Sequence, residues 1–267
     1  MSDSSGNIRR GWLEAGQKTA QVVVFVCILA IVGVLLLPRG ESDDAASPPL
    51  PTHTLDVGPT PTATPPPPTL TPPPDVPRIG IVAGHWWLGE EGQQSLDVGA
   101  VCDEGTPNQL TELEVNLEVA QRVVFELQRD GYQVDLLQEW DDRLAGYQAD
   151  VLLSIHADSC LYAEATGFKV ARVSDSHVPE IEDRLVACLV AHYAARTGLD
   201  FHEGSITHDM TQYHTFYEIN PNTPGAIIEV GFMLADRALL TQRPDLVAQG
   251  IIDGLLCFLK GEGIIEE

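Results

Sequence analysis

The sequence predicts a three-layer α/β domain, in which helices cover both faces of a mostly parallel or mixed central sheet. Apolar runs of strand length alternate with longer segments whose apolar residues recur every three or four positions, as amphipathic helices require. This alternation begins at Arg78 and continues to the C-terminal region, and it is typical of crossover connections between parallel strands. Residues 78–267 are therefore expected to form one folded domain with a sizeable core.

The predicted elements follow one another along this domain. A strand at 79–82 precedes a helix at 112–129, whose apolar residues recur at intervals of three and four and which Asp130 and Gly131 end. The segment between His202 and Asn222 has no clear pattern, although a strand could form at 215–218. The other predicted elements are strands at 132–137, 150–155, 167–173 and 225–230, a short helix at 143–148, and long helices at 179–197 and 243–260.

The N-terminal region carries a membrane signal. Residues 19–37 are uncharged and apolar over 19 positions, which is long enough to cross the hydrocarbon core of a bilayer. Basic residues precede this run and acidic residues follow it soon afterwards, so the positive-inside rule places the tail at 1–18 in the cytoplasm. A cleaved signal peptide is the alternative, but its apolar region is normally shorter. We expect a single-pass signal anchor in a bacterial cell membrane.

Residues 38–77 are rich in proline and threonine. Such a composition offers too few apolar side chains for a core and favours extended polyproline II conformations. The segment is therefore predicted to be a disordered linker that holds the domain at 78–267 away from the membrane, on the extracytoplasmic side. If the signal segment is cleaved instead, the domain is secreted.

Charge and cysteine placement narrow the function classes. The net charge of −24 argues against nucleic acid as a partner, because no basic surface is available to displace counterions from phosphates. Cys102 and Cys160 lie in predicted loops and could pair if the domain is extracytoplasmic. Cys188 and Cys257 lie within helical apolar patterns, where buried free thiols are predicted.

Polar side chains stand where the predicted strands end. His85, His156 and Glu229 each come at the end of an apolar run. Because the carboxyl ends of parallel strands meet at one edge, where sites form, these three residues are expected to lie together. Glu112 opens the first long helix and can reach the same edge. Asn116 is one helical turn further on the same face and could orient the Glu112 carboxylate.

This set of side chains suits metal-dependent hydrolysis. Two imidazoles and one carboxylate form the ligand set of many catalytic zinc sites, which leave a fourth position for water. Glu229 fits the role of general base, because partial burial behind an apolar strand raises the pKa of a carboxylate. Each residue alone also has a structural interpretation: a strand-end histidine is often a hydrogen-bond partner, and a carboxylate is favoured at the start of a helix.

Five short motifs follow one another in order. They are AGH at 83–85, DVGA at 97–100, ExxxNL at 112–117, AD followed by SIHA within 149–157, and EVGF at 229–232. The ordered set resembles the zinc-dependent N-acetylmuramoyl-L-alanine amidases found among bacterial cell-division and spore-lytic enzymes. The resemblance covers residues 78–259, which is essentially the whole predicted domain.

This resemblance implies roles for four residues. His85, Glu112 and His156 would bind one zinc ion per chain, and Glu229 would be the catalytic glutamate. The implied reaction is hydrolysis of the amide bond between N-acetylmuramic acid and L-alanine in peptidoglycan. Relatives are often held inactive by an occluding segment, so the region 202–222 is where such control, or an unknown protein activator, would act.

The sequence departs from the family pattern at several positions. Trp86 and Trp87 stand where the family usually has two glycines, and they could narrow the cleft or stack on sugar rings. Asp158 replaces the usual asparagine that follows the His-Ala pair, here His156 and Ala157. The evenly spaced histidines of the unpatterned segment could offer a second metal site, but a surface loop is the favoured interpretation; these residues are His202, His208 and His214.

Two alternative functions remain open at this stage. One is a different zinc peptidase or hydrolase built on the same sheet. The other is a non-catalytic peptidoglycan-binding module in which Trp86 and Trp87 block the cleft. The products of muropeptide digestion distinguish the three, because only an amidase leaves an intact stem peptide with a free alanine amine.

Overall fold

A computed structural model of the protein describes residues 76–89, 92–94 and 97–261 of the chain. The predicted tail at 1–18, the transmembrane segment at 19–37 and almost all of the linker at 38–77 lie outside the described residues. Among the helices that the structure describes, none is both long and apolar enough to span a bilayer.

Seven strands and six α-helices make up the described domain. Most predicted elements are present, with bounds that differ by a few residues. The elements are β1 (Arg78–Ala83), β2 (Val101–Cys102), β3 (Leu110–Thr111), α1 (Glu112–Arg129), β4 (Gln133–Gln138), β5 (Val151–Asp158), β6 (Lys169–Ala171), α2 (Pro179–Thr197), α3 (His208–Thr211), α4 (Thr215–Glu218), β7 (Gly225–Phe232), α5 (Arg237–Gln242) and α6 (Pro244–Lys260), with 3₁₀ turns at Asp142–Leu144 and Glu203–Ser205.

The central sheet is mixed, as predicted. Its five strands lie in the order β4–β1–β5–β7–β6. The first four are parallel to one another, and the edge strand β6 runs antiparallel to β7. The short strands β2 and β3 form a separate antiparallel pair. The carboxyl ends of β1, β5 and β7 therefore meet at one edge of the sheet.

The three long helices all pack on one face of this sheet. Alternate strand residues such as Ile81, Leu153 and Ile228 point to that face and are fully buried with apolar residues of α1, α2 and α6. The intervening residues, such as Val82 and Leu152, form smaller clusters on the opposite face with the short elements. The three-layer prediction is confirmed, but the second outer layer consists of short helices and turns.

Two predicted elements and one cysteine assignment are wrong. The predicted strand at 215–218 is helix α4, because packing of Phe216 against β7 and β6 in an apolar cluster outweighs the strand preference of aromatic residues. The predicted helix at 143–148 is only the turn Asp142–Leu144. Cys188 and Cys257 form a disulfide between α2 and α6, because the two helices pack with these Cα atoms 5.8 Å apart.

Helices α2 and α6 approach closely at glycine. A Cβ atom added at Gly254 of α6 would lie 2.8 Å from the Cα atom of Leu189 in α2. Because the obstructing atom belongs to the backbone, the helices would have to move apart to accept a methyl group. Gly254 therefore sets the distance between these helices.

We expect Gly254→Ala to lower the free energy of unfolding by about 1–3 kcal/mol, the range for overpacked cores. Urea titration of the purified protein measures the change. Gly204→Ala is the matched control, because a Cβ atom at Gly204 has no neighbour within 4 Å. An unchanged unfolding midpoint in Gly254→Ala would contradict the close approach.

Glu182 is buried at the amino-terminal end of β7. The residue is only 3% exposed. Its Oε1 atom accepts a hydrogen bond of 3.0 Å from the backbone N–H of Gly225. Oε2 has no hydrogen-bond partner among the described residues. Burial raises the pKa of this carboxyl above its usual value.

This pKa shift predicts a pH-dependent loss of stability. Because the folded-state pKa of Glu182 exceeds the unfolded value of about 4.3, stability falls as pH rises from there through the folded pKa. Glu182→Gln keeps an oxygen acceptor for Gly225 but does not ionise, so its free energy of unfolding should exceed that of the parent at pH 7 more than at pH 4. Urea titrations at both pH values measure this difference. An equal difference at both pH values would show that Glu182 does not titrate in this range.

Candidate metal centre

His156 enters the site from β5. It is 7% exposed and lies beside Glu229 in the parallel register of β5 and β7. Its Nδ1 atom is 3.0 Å from Glu112 Oε1, and its Nε2 atom is 3.2 Å from the hydroxyl of Tyr213. Both ring nitrogens therefore have fixed partners on opposite sides of the imidazole.

Glu112 is the first residue of α1, and the helix cap fixes its place. The Thr111 hydroxyl accepts a hydrogen bond from the Glu114 backbone N–H, and the Glu114 carboxylate accepts one from the Thr111 N–H. This capping box sets where the helix begins. Asn116 then donates to the backbone oxygen of Gly84 at 3.1 Å and to Glu112 Oε1 at 3.4 Å. The helix start and one side chain together orient the Glu112 carboxylate.

His85 completes the group from the end of β1. Its backbone adopts φ +60°, a strained value for a residue other than glycine. The backbone N–H of His85 donates to the Glu139 carboxylate, which holds this conformation. Its Nε2 atom lies 3.4 Å from Glu112 Oε2, and its Nδ1 atom lies 3.2 Å from Asp97 Oδ1. The preceding Gly84 has no side chain, and a Cβ atom there would overlap the imidazole of His156.

These three side chains could hold a metal ion. His85, Glu112 and His156 each offer a ligand atom, and these atoms all lie within 4.8 Å of one another. They form the one such cluster found in the described part of the chain. A tetrahedral ion about 2.1 Å from each donor would place the donors about 3.4 Å apart. The separations of 3.0 Å between His156 Nδ1 and Glu112 Oε1 and of 3.4 Å between His85 Nε2 and Glu112 Oε2 are close to this spacing.

The electrostatics of the cluster also favour a cation. Burial opposes ionisation of Glu112, but hydrogen bonds from His156 and His85 outweigh it and lower its pKa below the usual range. Burial also opposes protonation of His85, yet the neighbouring carboxylates raise its pKa to about 9. The pKa of His156 is raised for the same reason. Protons thus supply the positive charge that this buried carboxylate requires, and a metal ion would replace them.

Glu229 lies on the same face of the sheet as His156. Its Oε2 atom is buried and makes no hydrogen bond within the described residues. Burial raises the pKa of this carboxyl to about 7, although the charge of His156 opposes the shift. Lys169 of β6 is opposite Glu229 in the sheet and forms an ion pair with Asp158. A carboxyl group with this pKa can accept and release protons near neutral pH.

Two further residues belong to the site, and sequence analysis did not select them. The Tyr213 hydroxyl donates to Glu139 Oε1 at 3.2 Å and accepts from Ser154 at 3.2 Å. Its remaining acceptor position faces His156 Nε2, so the hydrogen-bond network assigns the ring proton to Nε2. The second proton lies on Nδ1, which is 3.0 Å from Glu112 Oε1. A metal ion that displaced this proton would therefore bind His156 through Nδ1.

A sequence signal existed for one of these residues. Glu139 directly follows β4, so it is a polar residue at the end of a strand, as His85 is at the end of β1. Tyr213 lies in the unpatterned segment 202–222, and nothing local distinguished it. Its contact with Glu139 joins residues 74 positions apart.

The three histidines of that segment do not form a second metal group. His202 and His208 are exposed, as the surface-loop interpretation predicted. His214 differs, because it is partly buried beside the site, with Nδ1 2.8 Å from Glu218 Oε1 and Nε2 3.5 Å from Glu139 Oε1. The tertiary fold brings this one histidine to the sheet edge.

The structure also places the tryptophans and cysteines that the sequence singled out. Trp86 is partly buried against the main core, whereas Trp87 is exposed. A disulfide joins Cys102 of β2 to Cys160, which follows β5. It links the segment before Glu112 to the segment after His156.

The chain is similar to known amidases in sequence and in fold. The family described as N-acetylmuramoyl-L-alanine amidase matches residues 79–257, about two thirds of the chain. The search of curated proteins finds no match for this chain. The CwlD amidase from Clostridioides difficile, solved in complex with the GerS lipoprotein, has a TM-score of 0.55 and 16% identity, covering 70% of this chain and 100% of its own. The CwlV catalytic domain from Bacillus (Paenibacillus) polymyxa var. colistinus has a TM-score of 0.51 and 23% identity, with coverages of 69% and 99%. AmiC2 of Nostoc punctiforme has a TM-score of 0.51 and 20% identity, with coverages of 69% and 97%. At these identities the solved structures show a shared fold.

We expect His156→Ala to lower the affinity for a divalent metal ion by roughly tenfold or more, because it removes one of three ligands. Metal content after incubation with Zn²⁺ and desalting, determined by inductively coupled plasma mass spectrometry, measures the loss. His202→Ala is the matched control, since His202 is an exposed histidine outside the cluster. Equal metal content in the two variants, both folded by circular dichroism, would exclude His156 as a ligand.

Proposed function

The chain belongs to the N-acetylmuramoyl-L-alanine amidase family, and we propose that it hydrolyses the amide bond between N-acetylmuramic acid and L-alanine in peptidoglycan with the help of one zinc ion. One observation carries the proposal beyond the family. The ligand atoms of His85, Glu112 and His156 lie within 4.8 Å of one another, and Glu229 is beside His156 in the sheet.

The choice of zinc follows from the donor set. Two imidazole nitrogens and one carboxylate oxygen are typical of catalytic zinc sites, in which a fourth position stays open. Zinc in such a site polarises a carbonyl group and lowers the pKa of a water molecule toward ~7. The residues around the cluster prepare it for this ion. Tyr213 fixes the His156 tautomer, and Asn116 orients Glu112.

Glu229 provides the proton transfers. With a pKa of about 7, its carboxylate accepts a proton from the water that attacks the lactyl carbonyl carbon. When the C–N bond breaks, the same carboxyl group donates that proton to the alanine nitrogen, which leaves as an amine. A general acid–base whose pKa lies near the working pH is effective in both directions.

We also propose that this domain acts outside the cytoplasm, tethered to the membrane by the segment at 19–37 or secreted after cleavage there. The two disulfides support this location, because structural disulfides persist mainly in oxidising compartments. Peptidoglycan is found in the same compartment. The linker at 38–77 would allow the domain to reach peptidoglycan at a distance from the membrane.

Glu229→Gln tests the mechanism. We expect it to retain bound zinc but to lose about two orders of magnitude or more in turnover, in line with general acid–base contributions. The measurement is release of intact stem peptide with a free alanine amine from purified muropeptides, followed by mass spectrometry. Glu104→Gln, at an exposed position distant in the chain, is the control.

The products also separate the alternative functions. A peptidase on the same fold would give fragments cut within the stem peptide. A binding module would bind peptidoglycan without releasing any product. Near-normal turnover by Glu229→Gln would remove Glu229 from the mechanism, whichever product is formed.

A further inference from the structure

An exposed tryptophan stands at the rim of the metal centre. Trp140 stacks on His214 with ring centroids 3.8 Å apart and an interplanar angle of 10°, yet 52% of the residue is exposed. Since His214 covers one face of the indole ring, the exposed area belongs to the other face and the ring edge. Trp140 thus presents a flat apolar surface to solvent.

This surface adjoins the proposed catalytic residues. Trp140 directly follows Glu139, whose carboxylate accepts the backbone N–H of His85. The supporting ring of His214 has Nε2 3.5 Å from Glu139 Oε1. A single residue, Glu139, therefore separates the aromatic stack from a proposed metal ligand.

The stack is held in place on both sides. The His214 Nδ1 atom is 2.8 Å from Glu218 Oε1, which fixes the ring under the indole. The backbone N–H of Glu139 donates to the Trp86 oxygen at 2.9 Å, so the segment with Trp140 runs beside the segment with Trp87, a second exposed tryptophan. The surface is preorganised and needs no side-chain ordering when a ligand binds.

The surroundings favour an uncharged ligand over an anionic one. The carboxylates of Asp97, Glu139 and Glu218 all lie around the two histidines at this rim. A stem peptide carries carboxylate groups, which these residues would repel. An N-acetylated sugar whose lactyl group is joined in an amide is neutral, and one face of its ring carries C–H groups that pack against the π-face of an aromatic side chain.

We propose that the free face of Trp140 is a saccharide subsite, which binds the sugar ring attached to the scissile amide. The inference rests on the proposed function, because in that reaction the lactyl group with the reacting carbonyl is attached directly to the sugar ring. Trp140 then determines specificity for muramoyl over plain acyl peptides, and His214 is the residue that positions it.

Calorimetric titration of the full-length protein tests this assignment. The Glu229→Gln variant serves as the background, so that ligands stay intact. The ligands are an N-acetylmuramoyl dipeptide and the same dipeptide bearing only an N-lactoyl group. We expect the background protein to bind the sugar-bearing ligand about tenfold more tightly, and Trp140→Ala to remove most of this preference. Trp140→Phe should retain part of it.

Phe125→Ala is the matched control, since Phe125 is an exposed aromatic residue on α1 outside the site, and it should keep the full preference. If Trp140→Ala weakened the binding of both ligands equally, Trp140 would contact the peptide and not the sugar. If it weakened the binding of neither ligand, Trp140 would have no role in binding. Either result would overturn the subsite. Failure of the proposed function is distinguishable, because the parent protein would then bind the sugar through Trp140 but release no stem peptide.

Discussion

The Glu112 carboxylate lies between two imidazoles, and the rest of the site depends on it. Each oxygen faces one histidine, Oε1 towards His156 and Oε2 towards His85. Burying a carboxylate is costly unless charge and hydrogen bonds compensate it. Here the imidazoles and the backbone N–H groups of Ala100 and Ala157 provide that compensation. A carboxylate buried in this way favours positive charge at the site, which either protonated imidazoles or a metal ion can provide.

The unequal faces of the sheet make room for this cluster. One face carries three long helices. Gly254 allows two of them, α2 and α6, to approach closely, and the Cys188–Cys257 disulfide connects the same two. The other face, to which His156 and Glu229 point, is covered only by short helices and turns. A long helix on that side would cover the carboxyl ends of β5 and β7. The layer of long helices packs against the strands, and the thin layer leaves the carboxyl ends of β5 and β7 free of a long helix.

The segment 202–222 forms a wall beside the candidate metal centre through Tyr213 and His214. Tyr213 bridges Glu139 and His156, and His214 supports Trp140. Glu139 contacts both Tyr213 and His214, and it also holds the strained backbone of His85. The sequence motifs contain the proposed metal ligands and Glu229, whereas this wall is built from residues outside those motifs. Differences in substrate preference within such a fold can arise in this way without any change in the catalytic group.

The sequence by itself determined the sheet, the long helices and the residues that meet at the sheet edge. Periodicity sets a strand or a helix through neighbours in the chain, and parallel strands bring their ends together, so His85, His156 and Glu229 could be placed near one another without coordinates. Only the tertiary structure decided which face the long helices cover, that Cys188 pairs with Cys257, and that Tyr213 and His214 reach the site. These contacts join residues far apart in sequence, and their energies depend on packing between whole elements, which no local pattern records.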